Sequence, residues 1–224
     1  MGKLIVIDGV DSSGKETHTK MLTEKLINAG YKVKKISFPD YDSPSSELVK
    51  MYLSGKFGDK PDDVNAYAAS SFFAADRFAS FRTDWKKDYE DNDTIIIADR
   101  YVSSNMIHQA SKIDNTEEKN KFLEWLFELE FKLYEIPTPD LTIFLDMPVK
   151  FARELMAKRE NKFDNSQNKD IHERNSDYLE KSYFNACFIA EKFMWKRICC
   201  TKNNMIRTLD EINEEVYNEV IKIL

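Results

Sequence analysis

Apolar residues run without a break over Leu4-Ile5-Val6-Ile7, inside a segment from Lys3 to Asp8 that predicts a strand. A glycine-bearing turn follows. Met21, Leu22, Leu26 and Ile27 then recur at helical spacing between Thr17 and Ala29, with Gly30 as the C-terminal cap. Tyr31 to Phe38 alternates enough for a second strand, and Pro39 with Ser43-Pro44 breaks the chain before a helix from about Ser45 to Leu53. Helical spacing returns from Val64 to Trp85. The run Thr94-Ile95-Ile96-Ile97-Ala98, bounded by Asp93 and Asp99, is too short and too β-branched for a helix and predicts a strand buried on both faces. Asn115 followed by Glu118 is a capping-box start for a helix to about Tyr134, and Pro137 and Pro139 stop it before a strand from Leu141 to Leu145. Helices then dominate to Leu224, interrupted by a polar stretch from Arg159 to Asp177 and a weak strand near Met205 to Arg207.

Strands alternating with helices, the strands nearly all apolar, are the pattern of a parallel sheet covered on both faces. The fold class is α/β, a three-layer α/β/α sandwich with a mainly parallel five-stranded sheet, and 224 residues fit one compact domain over 1–224. In such sheets ligands collect beyond the carboxyl ends of the strands, so the residues just after each strand carry the candidate chemistry.

Composition narrows the picture. Apolar residues make up 42% of the chain, yet no window approaches the ~18 uninterrupted apolar positions of a membrane span. The N-terminus has no signal-peptide pattern, and the expected location is cytoplasmic. A net charge of −6 argues against a nucleic-acid polymer as partner while leaving room for a small anion in a local basic pocket. Cys187, Cys199 and Cys200 lack the spacing of a zinc or redox site and read as reduced thiols.

The strongest local signal is Gly9-Val10-Asp11-Ser12-Ser13-Gly14-Lys15, which fits G-x-x-x-x-G-K directly after a strand and at the start of a helix. Glycines there let successive N–H groups turn inward, the helix N-terminus adds its positive dipole end, and Lys15 supplies a charge for the outer phosphates of a nucleotide. Glu16 stands where Ser or Thr usually ligates Mg²⁺, and Thr17 follows. Either a carboxylate among Asp11, Asp99 and Glu16 holds the metal, or Glu16 points to solvent on the first helical turn, where its charge is favoured.

Three motifs together resemble the thymidylate kinase family. They are the P-loop with Asp11 at its third position, Asp99-Arg100-Tyr101-Val102-Ser103-Ser104-Asn105 after the buried strand, and Phe73-Ala74-Ala75-Asp76-Arg77. The resemblance extends to Phe38-Pro39, to Pro139 through Asp146 and to the lid-like Asp170-Ile171-His172-Glu173, and so covers nearly the whole chain. It implies a Mg²⁺-dependent kinase that moves a phosphoryl group from ATP to dTMP. By the resemblance Asp11 accepts a hydrogen bond from the sugar 3′-hydroxyl, Arg100 bridges acceptor phosphate and transferred phosphoryl, and Asp99 arranges Mg²⁺. Phe73 and Arg77, four apart and so on one helix face, wall the base. Phe38, Ser104, Asn105 and Gln109 join them in the acceptor pocket. His108 stands where many members have tyrosine against the sugar, and it reads equally as a structural histidine. Tyr41 lies near a position where some members carry arginine.

Ser12 and Ser13 replace an arginine found in one subgroup, so the extra cation is expected from a lid over about 153–177: Arg153 and Arg159 first, with Lys158, Lys162 and Arg174 as further candidates. Glu173 either orients metal-bound water or pairs with a lid cation. Charge neutralisation and positioning suffice for phosphoryl transfer, and no nucleophilic side chain is required. Family members commonly form homodimers through helices, and Phe122, Trp125, Leu126 and Leu129 read either as such a face or as core. The alternatives are another nucleoside monophosphate or deoxynucleoside kinase and, from a different class, a nucleotide-dependent switch; the N-K-x-D motif of switch GTPases is absent from the chain.

Overall fold

The structure, a computed structural model, describes residues 1–159, 171–172 and 175–224. In chain order the elements are β1 (Lys3–Asp8), α1 (Lys15–Asn28), β2 (Lys32–Ser37), α2 (Glu47–Leu53), α3 (Ala66–Ser80), α4 (Lys86–Glu90), β3 (Thr94–Asp99), α5 (Val102–His108) and α6 (Thr116–Phe127). They continue with β4 (Leu141–Asp146), α7 (Val149–Arg159), α8 (Ser176–Lys192), β5 (Lys196–Cys199), the short strands β6 (Thr201–Lys202) and β7 (Met205–Ile206), and α9 (Leu209–Ile221). The main sheet runs β2-β3-β1-β4-β5 with every pairing parallel.

Side chains alternate across β1, which explains why an unbroken apolar run is needed there. Ile5 and Ile7 enter one core with Leu22, Leu26, Ile143 and Val216, while Leu4 and Val6 enter the other with Trp85, Ile96, Tyr101 and Phe122. Each such fully buried aliphatic side chain contributes about 1.5–3 kcal/mol. Helix starts follow their sequence signals: Asn65, Asn115 and Asn175 each accept from the backbone N–H three residues on, and Thr208 with Glu211 closes a capping box at α9.

The structure revises two parts of the sequence reading and settles a third. The fifth sheet strand is β5, whereas the weak strand near Met205 pairs only with Thr201–Lys202 in a small antiparallel hairpin. The long helical stretches end in π-helical turns at Phe81–Trp85 and Glu128–Leu133. Phe122 and Leu126 are core, each 0% exposed, so they form no surface for a partner. Trp125 and Leu129 are half-buried.

Strand order turns at β1, whose neighbours β3 and β4 come from opposite directions of winding. That switch point opens a crevice beyond the carboxyl ends of β1 and β3.

Candidate active site

The loop between β1 and α1 is shaped by its two glycines. Gly14 caps α1 with a left-handed φ of 87°, and a Cβ on Gly9 would fall 2.8 Å from the Leu145 carbonyl oxygen and 2.7 Å from Ser13 Oγ. Lys15 folds back across the loop and donates to the Val10 carbonyl at 2.6 Å. Burial and the charge of Arg100 lower Lys15 to about 8. The hydroxyls of Ser12 and Ser13 are buried with no partner among the described residues. Unpaired donors and a desolvated cation around one loop form a receptor for an anion such as a phosphate. Glu16 and Thr17 are exposed on the first turn of α1, where a carboxylate faces the positive end of the helix dipole.

At the end of β3, Asp99 is 7% exposed. Burial raises its carboxyl above the usual range, against the pull of Lys15 and Arg100. Arg100 then takes a left-handed φ of 65°. This unusual backbone turns its guanidinium into an ion pair with Asp11, with further bonds to Ser104 Oγ at 3.3 Å and His108 Nε2 at 3.2 Å. Burial works against the Asp11 carboxylate, but the positive groups around it, Arg100 foremost, together outweigh burial and hold Asp11 well below the usual carboxylate range. Because arginine only donates, His108 Nε2 must accept, so the imidazole carries its proton on Nδ1. Burial holds His108 neutral, far below the ordinary histidine range.

Beyond Arg100 opens a cleft of about 520 Å³ including its open mouth. Phe38 and Tyr41 reach it from the loop after β2, Phe73 and Arg77 from α3, and Ser104, Asn105, His108 and Gln109 from α5 and its end. With Asp11 and Arg100, every residue expected at the acceptor lines this one cleft. Arg77 is nearly fully buried and anchored by Glu130, to which Nε and one terminal nitrogen each donate at 2.6 Å; the other terminal nitrogen donates to the Tyr101 carbonyl at 3.3 Å. Three of its five N–H groups are thus committed, and two remain. Asn105 donates to the Ser70 carbonyl at 3.2 Å, and the Gln109 carbonyl oxygen is buried with no partner among the described residues.

A family model described as Thymidylate kinase matches residues 7–193. The chain belongs to the thymidylate kinase family. It is 29% identical over 182 residues to the thymidylate kinase of Mycobacterium tuberculosis, covering 80% of this chain and 81% of that one. To the probable thymidylate kinase of Metallosphaera sedula it is 31% identical over 177 residues, 79% of this chain and 77% of the other. The human thymidylate kinase is 27% identical over 164 residues, 73% and 70% of the two chains. Among solved structures, the thymidylate kinase of Candida albicans superposes with a TM-score of 0.72 at 23% identity over 99% of this chain and 92% of that one, a likeness of fold.

The lid residues of this family member are only partly described. Arg153 does not line the cleft; it ties α7 to the start of α8 by donating to the Ser176 carbonyl at 3.1 Å and to Glu180 at 3.2 Å. Arg159 closes α7, and its side chain, like that of Lys158, lies outside the described residues, as do Lys162, Glu173 and Arg174.

Several site residues escaped the sequence reading. Asp8, fully buried at the end of β1, accepts from the hydroxyls of Ser103 at 2.5 Å and Ser104 at 2.9 Å and from the Gly9 N–H at 2.8 Å, clamping α5 to the P-loop. Asp76 accepts from the Asp40 N–H at 2.9 Å and so holds the loop bearing Tyr41. Glu130 stands behind Arg77, and His172, read from the sequence only as part of the lid-like segment, lines the cleft. The available signal was a charge ending or interrupting an apolar run, as at Asp8 and in Phe127-Glu128-Leu129-Glu130-Phe131.

Proposed function

We propose that this chain transfers the terminal phosphoryl group of ATP to dTMP, giving ADP and dTDP, with Mg²⁺ as the metal. The observation that carries the reading is Arg100. It stands where the phosphate loop meets the acceptor cleft and is held there by Asp11, with its charge available to phosphates on either side.

The P-loop N–H groups and Lys15 bind the donor phosphates, and the unpaired Ser12 and Ser13 hydroxyls add donors. Phe73 covers the base, Arg77 and Asn105 meet its edge, and Gln109 offers its unpaired carbonyl oxygen. Asp11 meets the sugar hydroxyl, while Phe38, Tyr41, Ser104 and His108 complete the pocket. An arriving phosphate competes with Asp11 for Arg100, exchanging one anionic partner for another without leaving the guanidinium unpaired. The transferring group passes through a loose transition state with charge on its equatorial oxygens, so Lys15 and Arg100 act by neutralising that charge and aligning the two phosphates. The acceptor phosphate is already anionic at neutral pH, so no general base is needed. From the lid, Arg159 supplies a further cation in this reading, and Arg153 does so on leaving Glu180.

Mg²⁺ bound with nucleotide takes one or two carboxylates and phosphate oxygens, and supplies charge neutralisation at the phosphates. Asp99 fits that role: it is a buried oxygen donor beside Lys15, whereas Asp11 is already paired with Arg100. Glu173 remains a candidate for metal-bound water. We read the chain as a cytoplasmic homodimer; among the described residues no helix is long and apolar enough to cross a membrane, and Tyr67, Phe78 and Leu133 are exposed apolar side chains on α3 and just after α6. Light scattering coupled to size exclusion tests the dimer.

The test of function is coupled ADP release with ATP, Mg²⁺ and each common nucleoside monophosphate in turn. Turnover with dTMP above all others is expected. ADP release that ignores the acceptor would overturn the kinase reading in favour of a nucleotide-dependent switch, and preference for another monophosphate would reassign the base pocket.

A further inference from the structure

Lys112 lies outside the cleft, in the turn Ala110–Lys112 that follows α5, yet it is wired into the cleft wall. Its ammonium donates to the Tyr52 hydroxyl at 2.9 Å and to the Val64 carbonyl at 3.0 Å, bringing together the turn after α5, α2 and the segment that leads into α3. The same Tyr52 hydroxyl lies 2.8 Å from His172 Nε2, and His172 lines the cleft beside His108, the two rings stacked at 6.1 Å and 18°.

The direction of this chain of bonds follows from the donor inventory. An ammonium has no acceptor, so the Tyr52 oxygen accepts from Lys112 and keeps one proton of its own to give. That proton goes to His172 Nε2 at 2.8 Å rather than to the Pro61 carbonyl at 3.5 Å. His172 therefore carries its ring proton on Nδ1. His108 is in the same state for a parallel reason, since Arg100 donates to its Nε2. Two stacked imidazoles in one wall are thus each oriented by a cation: His108 directly by Arg100, His172 through Tyr52 by Lys112.

We infer that Lys112 is a positioning residue for the acceptor nucleotide, fixing the ring orientation and tautomer of His172 through the Tyr52 hydroxyl without touching the substrate. Geometry supports an effect confined to the acceptor side. His172 lines the cleft, Lys112 and Tyr52 stand behind it, and the bonds of this chain run among α2, the turn after α5 and residue 172 rather than through the P-loop. Residue 171 reinforces the attachment: the Ile171 N–H donates to the Leu53 carbonyl at 3.2 Å, and its side chain packs with Tyr52 and Ala69. Without the ammonium, the Tyr52 hydroxyl loses the donor that commits its proton to His172, and the His172 ring is no longer oriented through it.

The inference rests on the reading of the cleft as the dTMP site, and the experiment separates the two. Dissociation constants for dTMP and steady-state constants for dTMP and ATP are measured on the full chain for wild type, Lys112→Met, Lys112→Arg, Tyr52→Phe and the double variant Lys112→Met/Tyr52→Phe. Loss of one such hydrogen bond is expected to weaken dTMP binding about fivefold to tenfold in Lys112→Met, with the ATP KM within about twofold. Lys112→Arg restores most of the loss, and the double variant is no worse than the weaker single variant because both break the same chain. Nitrogen NMR of His172 reads the Nδ1–H tautomer in wild type and a mixture in Tyr52→Phe, a signature that simple loss of packing does not produce. Unchanged dTMP binding in both Lys112→Met and Tyr52→Phe, or equal losses for ATP and dTMP, overturns the inference while leaving the kinase reading intact. A wild-type protein that neither binds nor phosphorylates dTMP overturns both.

Discussion

Arg77 and Glu130 form a bidentate ion pair with both bonds at 2.6 Å, the two side chains 1% and 0% exposed, with Arg77 lining the cleft where a base is expected and Glu130 behind it. Arg77 has two roles in this arrangement. It is an ion-pair partner and a cleft residue at once, because a guanidinium has enough N–H groups for both.

Removing one partner of a buried pair leaves the other uncompensated. Glu130→Ala is therefore expected to cost about 3–5 kcal/mol of stability by urea denaturation. It should also weaken dTMP binding more than ATP binding, since the freed Arg77 no longer holds one orientation. A stability loss under about 1 kcal/mol would mean that the pair is solvated in solution.

The P-loop assignments separate by charge position. Lys15→Ala should lower kcat by at least about 10²–10³-fold, the scale of losing one preorganised donor to developing charge. Glu16→Ser should preserve or raise turnover, because Glu16 is exposed on the first turn of α1. An inactive Glu16→Ser enzyme would put Glu16 at the metal instead.

Gly9 is constrained by backbone rather than by charge. A Cβ there meets the Leu145 carbonyl at 2.8 Å, so Gly9→Ala must shift either the P-loop or β4. ATP affinity should fall sharply while calorimetric dTMP binding stays near wild type. Equal loss of both ligands would show that the two halves of the site do not move independently.

Lys112 offers a pH signature. Burial lowers it to about 8 from the ordinary 10.5, with Asp62 opposing. Between those values the unfolded chain binds more protons than the folded one, so stability rises with pH. The cost of the buried ammonium is complete below about pH 8 and gone above about 10.5. Wild type should gain stability relative to Lys112→Met as pH is raised across that window, read from urea midpoints; a constant difference would contradict the depressed value.

Local signals carried the strands β1 and β3, the P-loop and its helix, because each depends on neighbours in sequence: an apolar run, two glycines at fixed spacing, a lysine and a helical repeat. The same locality explains why β5 was missed. Lys196 to Cys199 becomes a strand only by pairing with β4, and its own pattern is short and half charged. Residues such as Phe73, Asn105 and His108 were gathered into one site by resemblance, since spacing alone says no more than that Phe73 and Arg77 share a face. Only the tertiary structure decided the partners of the buried charges. Glu130 reaches Arg77 across 53 positions, Asp8 reaches Ser103 across 95, and Lys112 reaches Tyr52 across 60. Nothing in the local sequence selects such partners: burying a charge demands a compensating group, and which group answers is settled by how the elements pack.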